Sequence, residues 1–176
     1  MTNARKEYLK RPYNPVLTVD LSTISGEACI ELLAYWQAQR GAEPFALWSN
    51  FELMDLWRIA PYLIIVDVEQ TNGDLRYLYR YMGTKIVEFR RHRNYPDPTG
   101  LYFDQADRYY DPAPILEAYE RCFEERVPVF MYGHYETEVA KGIHERLIVP
   151  LSDRGDAVDK FAVILDRMPP NENNFG

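Results

Sequence analysis

The segment from Glu145 to Leu165 constrains the fold most strongly, because it carries two apolar stretches separated by a polar turn. Each stretch mixes apolar and charged residues at short range, which is typical of half-buried antiparallel strands. The residues between Ser152 and Asp156 suit a tight reversal, since Ser and Asp can bond their own backbone and Gly155 accepts a positive φ angle. The segment therefore predicts a β-hairpin.

A second hairpin is predicted at Asn72-Gly73, between strands at Tyr62–Glu69 and Leu75–Met82. Asn-Gly favours a type I′ turn, because both central residues of that turn need a positive φ angle. Apolar residues occupy both faces of the first strand, so we expect both faces of the sheet to be covered.

The remaining elements complete an α+β pattern. A helix is predicted over Ser25–Arg40, with Ser25 as N-cap, and it is the candidate cover for the second face of the sheet. Shorter helical stretches lie between the two hairpins, and three strands follow them, at Val129–Glu138, Ile143–Leu151 and Ala157–Asp166. We expect a five-stranded antiparallel sheet with helices on one face and the N-terminal helix covering the other. The predicted divisions are a weakly patterned arm at 1–24, the N-terminal helix at 25–43, the main domain at 44–168 and a polar tail at 169–176.

Composition excludes several classes of protein. With 176 residues and 47% hydrophobic residues, the chain can bury one substantial core. A net charge of −7 argues against nucleic-acid binding, and we interpret the basic run Arg90–Arg93 as a solvated helix end. The longest apolar run, Tyr62–Val66, is too short to cross a membrane. Cys29 and Cys122 lack a C-x-x-C spacing, which predicts buried free thiols and suits a reducing cytoplasm.

Four segments, in this order and spacing, give the chain a family resemblance. They are AYWQAQRG (34–41), LRYLYRYMGTKIVE (75–88), PDPTG (96–100) and ERLIVPLSDRGDAV (145–158). With them the chain resembles a PAS domain, and more narrowly the small stand-alone PAS-like proteins of bacteria. The resemblance implies a cavity between the inner face of the sheet and the middle helices, able to hold a small organic molecule. It also implies that any signal passes to a separate regulatory protein.

Arg80 is the first candidate ligand-binding residue. It lies in an aromatic strand, shortly before Gly83-Thr84, where the chain leaves the sheet for the helices. We expect its guanidinium to be partly buried and paired, either with a carboxylate or with an anionic ligand. Replacing Arg80 with Met should then lower thermal stability or abolish ligand retention. Thr84 could contact the same ligand or simply cap the following helix.

Aromatic residues of the strands are the other candidates for lining a ligand pocket. They are Tyr77, Tyr79, Tyr81 and Tyr132, with Tyr135 as a further strand tyrosine. Tyrosine rings are apolar with a polar tip, and this suits a pocket for an amphipathic molecule. The alternative is that these rings pack a core without a cavity.

Metal binding is not expected, although His134 and His144 lie on adjacent predicted strands. A turn centred on Ala140 would place His134 opposite Arg146 and His144 opposite Glu136. Glu138 and Glu145 could also be drawn into such a site, but the alternation of charges is typical of a solvated hairpin face. We therefore expect neither a metal ion nor haem, and no other cofactor.

An enzyme is also not expected, because the sequence contains no catalytic motif such as a nucleophile elbow or a phosphate-binding loop. Asp67 and Glu69 could form an acid–base pair on one strand face, but carboxylates near a turn are usually solvated. The predicted function is a cytoplasmic sensory or interaction module. Two alternatives remain: a small α+β enzyme of the cyclase or isomerase type, with an Asp or His deep in the cavity, or an adaptor with a filled core.

The N-terminal helix predicts a homodimer. Its apolar residues exceed what one narrow stripe requires: Ile30, Leu32, Leu33, Tyr35 and Trp36. Such an excess could cover the sheet on one side and a second copy on the other. The expected partners are thus a second subunit, a small organic ligand and a regulatory protein, with no membrane.

Overall fold

A computed structural model describes residues 15–106, 112–136 and 141–168, and within them the chain forms an α+β fold. The helices of the described residues are α1 (Glu27–Arg40), α2 (Thr84–His92), α3 (Phe103–Ala106) and α4 (Ala113–Glu125). The strands are β1 (Val16–Thr18), β2 (Ala46–Leu47), β3 (Leu63–Thr71), β4 (Asp74–Met82), β5 (Val129–Glu136), β6 (Lys141–Ser152) and β7 (Lys160–Asp166). Short 3-10 helices occur at Leu21–Thr23, Trp48–Asn50, Leu53–Leu56 and Ala60–Tyr62.

The strands form one sheet in the order β1-β5-β6-β7-β3-β4, and β2 pairs in parallel with β6. Every other pairing among the described strands is antiparallel. The two predicted hairpins are confirmed, with Asn72 and Gly73 at φ angles of 53° and 90°. The sheet exceeds the five predicted strands by the short β1 and β2. β1 lies within the expected arm, whose residues 1–14 are outside the described part of the chain, as is the expected tail at 169–176.

The two faces of the sheet are covered by different helices. On the face that we call inner, the ring of Phe161 in β7 contacts Tyr119 of α4, with 5.3 Å between ring centroids. On the outer face, α1 buries Cys29, Leu32 and Trp36. The Trp36 indole donates a hydrogen bond of 2.7 Å to the carbonyl of Pro150 in β6. This arrangement explains why β3 and β7 are apolar on both sides.

Two carboxylates of the sheet hold the start of α1. Glu145 and Asp166 are neighbours across β6 and β7. Glu145 accepts hydrogen bonds of 2.6 Å from the Ser25 hydroxyl and 2.6 Å from the Gly26 amide. Asp166 accepts one of 2.8 Å from the Ala28 amide. These bonds satisfy amides that a helix leaves free at its N-terminus, where negative charge is also favoured. The prediction of Ser25 as N-cap is therefore wrong. Gly26 is the N-cap residue, and Glu145 and Asp166 accept the hydrogen bonds that a capping side chain would otherwise accept.

The apolar residues of α1 are mostly used within the chain. Leu32 and Trp36 are buried, and Leu33 and Tyr35 are partly buried against the core. Of the five residues that favoured a dimer, Ile30 is the exposed one, at 50%. The argument from excess apolar surface thus loses most of its basis, and dimerisation through α1 stays a prediction.

We predict that Glu145→Gln destabilises the protein by about 1–3 kcal/mol, because the buried carboxylate accepts three hydrogen bonds and Gln removes its charge and one of its acceptor oxygens. The free energy of unfolding, measured with urea, gives the comparison. Glu27→Gln is the matched control, since Glu27 is an exposed carboxylate in the first turn of the same helix. Equal losses in the two variants would contradict a capping role for Glu145.

Candidate functional site

A β-bulge in β4 decides which candidate residues can meet. Tyr79 lies opposite Val66 of β3 and Tyr81 lies opposite Ile65, so Arg80 is an extra residue in β4. Val66 and Ile65 are consecutive and point to opposite faces of the sheet. Tyr79 and Tyr81 therefore point to opposite faces as well, although a regular strand would place them on the same one.

Two of the predicted tyrosines lie in an aromatic cluster on the inner face. Tyr77 and Tyr79 are 4% and 3% exposed. The centroid of Tyr77 lies 5.0 Å from that of Tyr119 and 6.2 Å from that of Phe161, and Tyr79 lies 6.1 Å from Phe103. Tyr119 also contacts Phe103, at 5.9 Å. We call these five residues the inner aromatic cluster: Tyr77, Tyr79, Phe103, Tyr119 and Phe161.

The Tyr77 hydroxyl brings a polar group into this cluster. Its oxygen is buried and has no hydrogen-bond partner among the described residues. Burial raises the pKa of Tyr77 well above its ordinary value, so the phenol is neutral. A buried hydroxyl without a partner costs about 1–3 kcal/mol. The group can donate one hydrogen bond and accept others, if a molecule reaches it.

The other predicted tyrosines lie elsewhere. The Tyr81 hydroxyl donates a hydrogen bond of 3.1 Å to the carbonyl of Ala60. Tyr132 lies opposite Glu145 in the β5–β6 pairing and therefore on the outer face, where its ring contacts that of Phe130 at 5.6 Å. Tyr81 and Tyr132 therefore do not lie on the inner face with Tyr77, and a role for them in ligand binding stays a prediction.

Thr84 is exposed in the first turn of α2. The cap of this helix is Gly83, without a side-chain hydrogen bond, so Thr84 does not cap it. Thr84 instead lines an open depression on the surface, and the lining of that depression includes both acidic and basic residues. The depression is lined by Met82, Thr84, Val87, Glu88, Arg91, His92 and Asp97. Its lining includes no member of the inner aromatic cluster.

Arg80 is paired as predicted but not buried. Its side chain is 61% exposed and binds the carboxylate of Asp67, whose side chain is 13% exposed. The expectation of partial burial is wrong, because Arg80 is the extra residue of the bulge in β4, at the edge of the sheet, and its side chain lies mostly in solvent. Asp67 has a second partner, Lys160, whose ammonium lies 3.3 Å from Asp67 Oδ1 and 3.2 Å from Asp153 Oδ2. The hydrogen bond to Asp67 raises the pKa of Arg80. Arg80, Asp67, Lys160 and Asp153 thus form a charge network on the outer face.

The histidine register also differs from the prediction. His134 lies opposite Ile143, and His144 lies opposite Gly133, so neither faces the residue expected for it. His144 is partly buried on the same face as Ile148, four residues along β6, and not on a solvated face. Burial, followed by the charges of Arg146 and His134, lowers the pKa of His144 to about 4. Its imidazole is therefore neutral at physiological pH.

The described residues add two further observations. They contain no group of three or more His, Cys, Asp or Glu side chains placed to hold a metal ion, and the lack of a bound metal or haem stays a prediction. No helix among them has the length and apolar character needed to cross a membrane. Cys29 and Cys122 are buried free thiols, as predicted, and burial raises the pKa of each.

We predict that Arg80→Met changes the free energy of unfolding little, since Arg80 is mostly exposed and Lys160 continues to neutralise Asp67. Lys160→Met should cost about 1–3 kcal/mol, because Lys160 is the more buried partner and joins two carboxylates. Urea unfolding of both variants tests the difference. A larger loss in Arg80→Met would restore the original expectation for that residue.

We predict that His144 lowers the free energy of unfolding as the pH drops from 6.5 toward about 4. Its pKa is lower in the folded protein than the ordinary value of 6.5, so the unfolded chain binds the proton first. The stabilisation is therefore present above pH 6.5 and is lost as pH falls toward about 4. The decrease between pH 7 and 4.5 should be smaller in His144→Gln, while His134→Gln, at an exposed position, should change it less, because burial is the larger cause of the low pKa of His144. Equal decreases in the parent and His144→Gln would contradict the prediction.

Comparison with known proteins adds no relative to this picture. Neither the protein-family models, nor the curated protein sequences, nor the solved structures contain a match to this chain. The case for any function therefore depends on the residues themselves, and on the inner aromatic cluster above all.

Proposed function

We propose that this chain is a non-enzymatic sensory module of the PAS type, which binds a small organic molecule on the inner face of its sheet and signals to a separate protein. The order of elements supports the proposal. A long hairpin, β3–β4, is followed by α2, α3 and α4 and then by three strands, the last of which returns to pair with β3. The same succession of hairpin, helices and strands underlies the resemblance of the sequence.

The observation that carries ligand binding is the buried Tyr77 hydroxyl, which has no hydrogen-bond partner in the described part of the chain. An occupant with a hydrogen-bond acceptor or donor would remove the cost of that unpaired group. The rings around it contribute apolar surface, and the inner aromatic cluster contains no charged side chain. A charged ligand would pay a large desolvation penalty there. The ligand class that fits is a small, neutral, amphipathic molecule.

A second candidate is the adaptor with a filled core. Five ring pairs connect all the members of the inner aromatic cluster, with centroid distances from 5.0 to 6.2 Å. A molecule could enter only if these rings separated. Without such an opening, the cluster is the packed centre of a domain that acts through its outer surfaces.

The described residues give the enzyme alternative less support. Asp67 is the deeply buried aspartate among them, and it is held between Arg80 and Lys160 on the outer face. His144 has a pKa of about 4, far below the value that suits a general base at neutral pH. Neither residue offers the acid or base that a cyclase or isomerase would need.

We predict that Tyr77→Phe separates the ligand-binding module from the adaptor. In a ligand-binding module, native mass spectrometry of the parent, purified under mild conditions, should show a non-covalent adduct of a small molecule. Tyr77→Phe should lose that adduct and the stabilisation it confers. In the ligand-free protein, Tyr77→Phe should be as stable as the parent or more stable, because it removes an unpaired buried hydroxyl.

Tyr81→Phe is the matched control, since its hydroxyl is bonded to a carbonyl outside the cluster. It should keep the adduct and lose about 0.5–1.5 kcal/mol of stability. A parent that carries no adduct, together with a Tyr77→Phe variant at least as stable as the parent, would favour the filled-core adaptor and defeat the ligand-binding proposal.

A further inference from the structure

Two large apolar side chains stand exposed on the segment between α1 and β3. Met54 is 79% exposed and Trp57 is 69% exposed. The segment is a 3-10 helix, Leu53–Leu56, continued by Trp57 in a helical conformation. Side chains three residues apart eclipse one another in such a helix, so Met54 and Trp57 lie on the same side. We call these two residues the Met54–Trp57 patch.

The patch is rigidly presented. Leu56 and Ile59, on the other side of the segment, are 1% and 4% exposed and anchor it to the core. The Tyr35 hydroxyl accepts a hydrogen bond of 2.9 Å from the Glu52 amide and donates one of 3.2 Å to the Asp55 carboxylate. An exposed apolar surface that needs no ordering on contact loses little entropy when it binds. Trp and Met are also enriched at protein interfaces.

Charges of opposite sign accompany the patch. Asp55 lies within the 3-10 helix and Arg58 in the turn that follows it, so the two charges flank Met54 and Trp57 along the chain. Both are exposed, and neither forms an ion pair with any residue in the part of the chain that the structure describes. The surface therefore offers an apolar centre, one acidic group and one basic group.

We propose that a second copy of this chain docks on the Met54–Trp57 patch, around a twofold axis. In a twofold interface each residue contact occurs twice with the roles exchanged. Asp55 of each copy then meets Arg58 of the other, and the two patches pack against each other between these ion pairs. The surface is complementary to itself in charge and in apolar character, which is why a second copy fits it.

Single charge reversals and their mixture test this arrangement. Asp55→Lys and Arg58→Glu should each weaken the dimer about tenfold or more, because each homodimer then brings like charges together. A one-to-one mixture of the two variants should restore a dimer, since both cross-subunit pairs in the heterodimer are again opposite in sign. Analytical ultracentrifugation gives the dissociation constants. Trp57→Ser should also yield a monomer.

Ile30→Ser is the control, because Ile30 is the exposed apolar residue of α1 and lies outside the patch. It should leave the dimer unchanged. Thermal melts of each variant show whether it folds. If Asp55→Lys melts at a lower temperature because its hydrogen bond with Tyr35 is lost, Arg58→Glu and Trp57→Ser still test whether the patch forms the dimer. A monomeric parent at high micromolar concentration, or a dimer that Ile30→Ser breaks and Trp57→Ser leaves intact, would overturn the proposal. Tyr77→Phe tests the ligand independently, because Tyr77 is buried in the inner aromatic cluster.

Discussion

The pairing of β7 with β3 holds this fold together. It joins strands almost a hundred residues apart in sequence and places β7 between β6 and β3, so the two hairpins become one sheet. The residues from Phe161 to Ile164 are completely buried, which requires cover on both faces. α4 supplies that cover on the inner face and α1 on the outer one. Association of helices with the sheet is thus a consequence of where this apolar strand lies.

Covering the outer face with α1 creates an electrostatic requirement. The start of the helix lies over Glu145, near the beginning of β6, and Asp166, at the end of β7, where free amides would be buried without acceptors. Glu145 and Asp166 provide those acceptors. Their negative charge, which would be unfavourable in an apolar setting, is stabilised by the helix N-terminus. The carboxylates and the helix are therefore mutually dependent, and this links the position of α1 to the sheet.

The bulge at Arg80 places Tyr81 on the opposite face of the sheet from Tyr77 and Tyr79. Arg80 and Tyr81 lie on the outer face, where Arg80 binds Asp67 and the Tyr81 hydroxyl donates to the Ala60 carbonyl. On the inner face, Tyr77 and Tyr79 lie with the rings of the helices, and the Tyr77 hydroxyl has no hydrogen-bond partner among the described residues. The bulge thus divides a row of tyrosines that looks uniform in sequence between the two faces of the sheet.

Local features of the sequence determined the elements of this protein. Asn72-Gly73 predicted the β3–β4 hairpin, and the spacing of apolar residues predicted α1 and the long strands to within a few residues. Dihedral preferences and hydrophobic period are properties of neighbouring residues, so the sequence displays them directly.

Only the tertiary structure decided which residues meet. The bulge moved Tyr81 away from Tyr77, and the β5–β6 register changed the partners of His134 and His144. Glu145 caps the start of α1, where Ser25 was predicted to do so. Each outcome depends on pairing between distant segments, where a shift of one residue exchanges the faces of a strand. The sequence by itself therefore determined the longer elements and the fold class, whereas long-range register decided the composition of the candidate site.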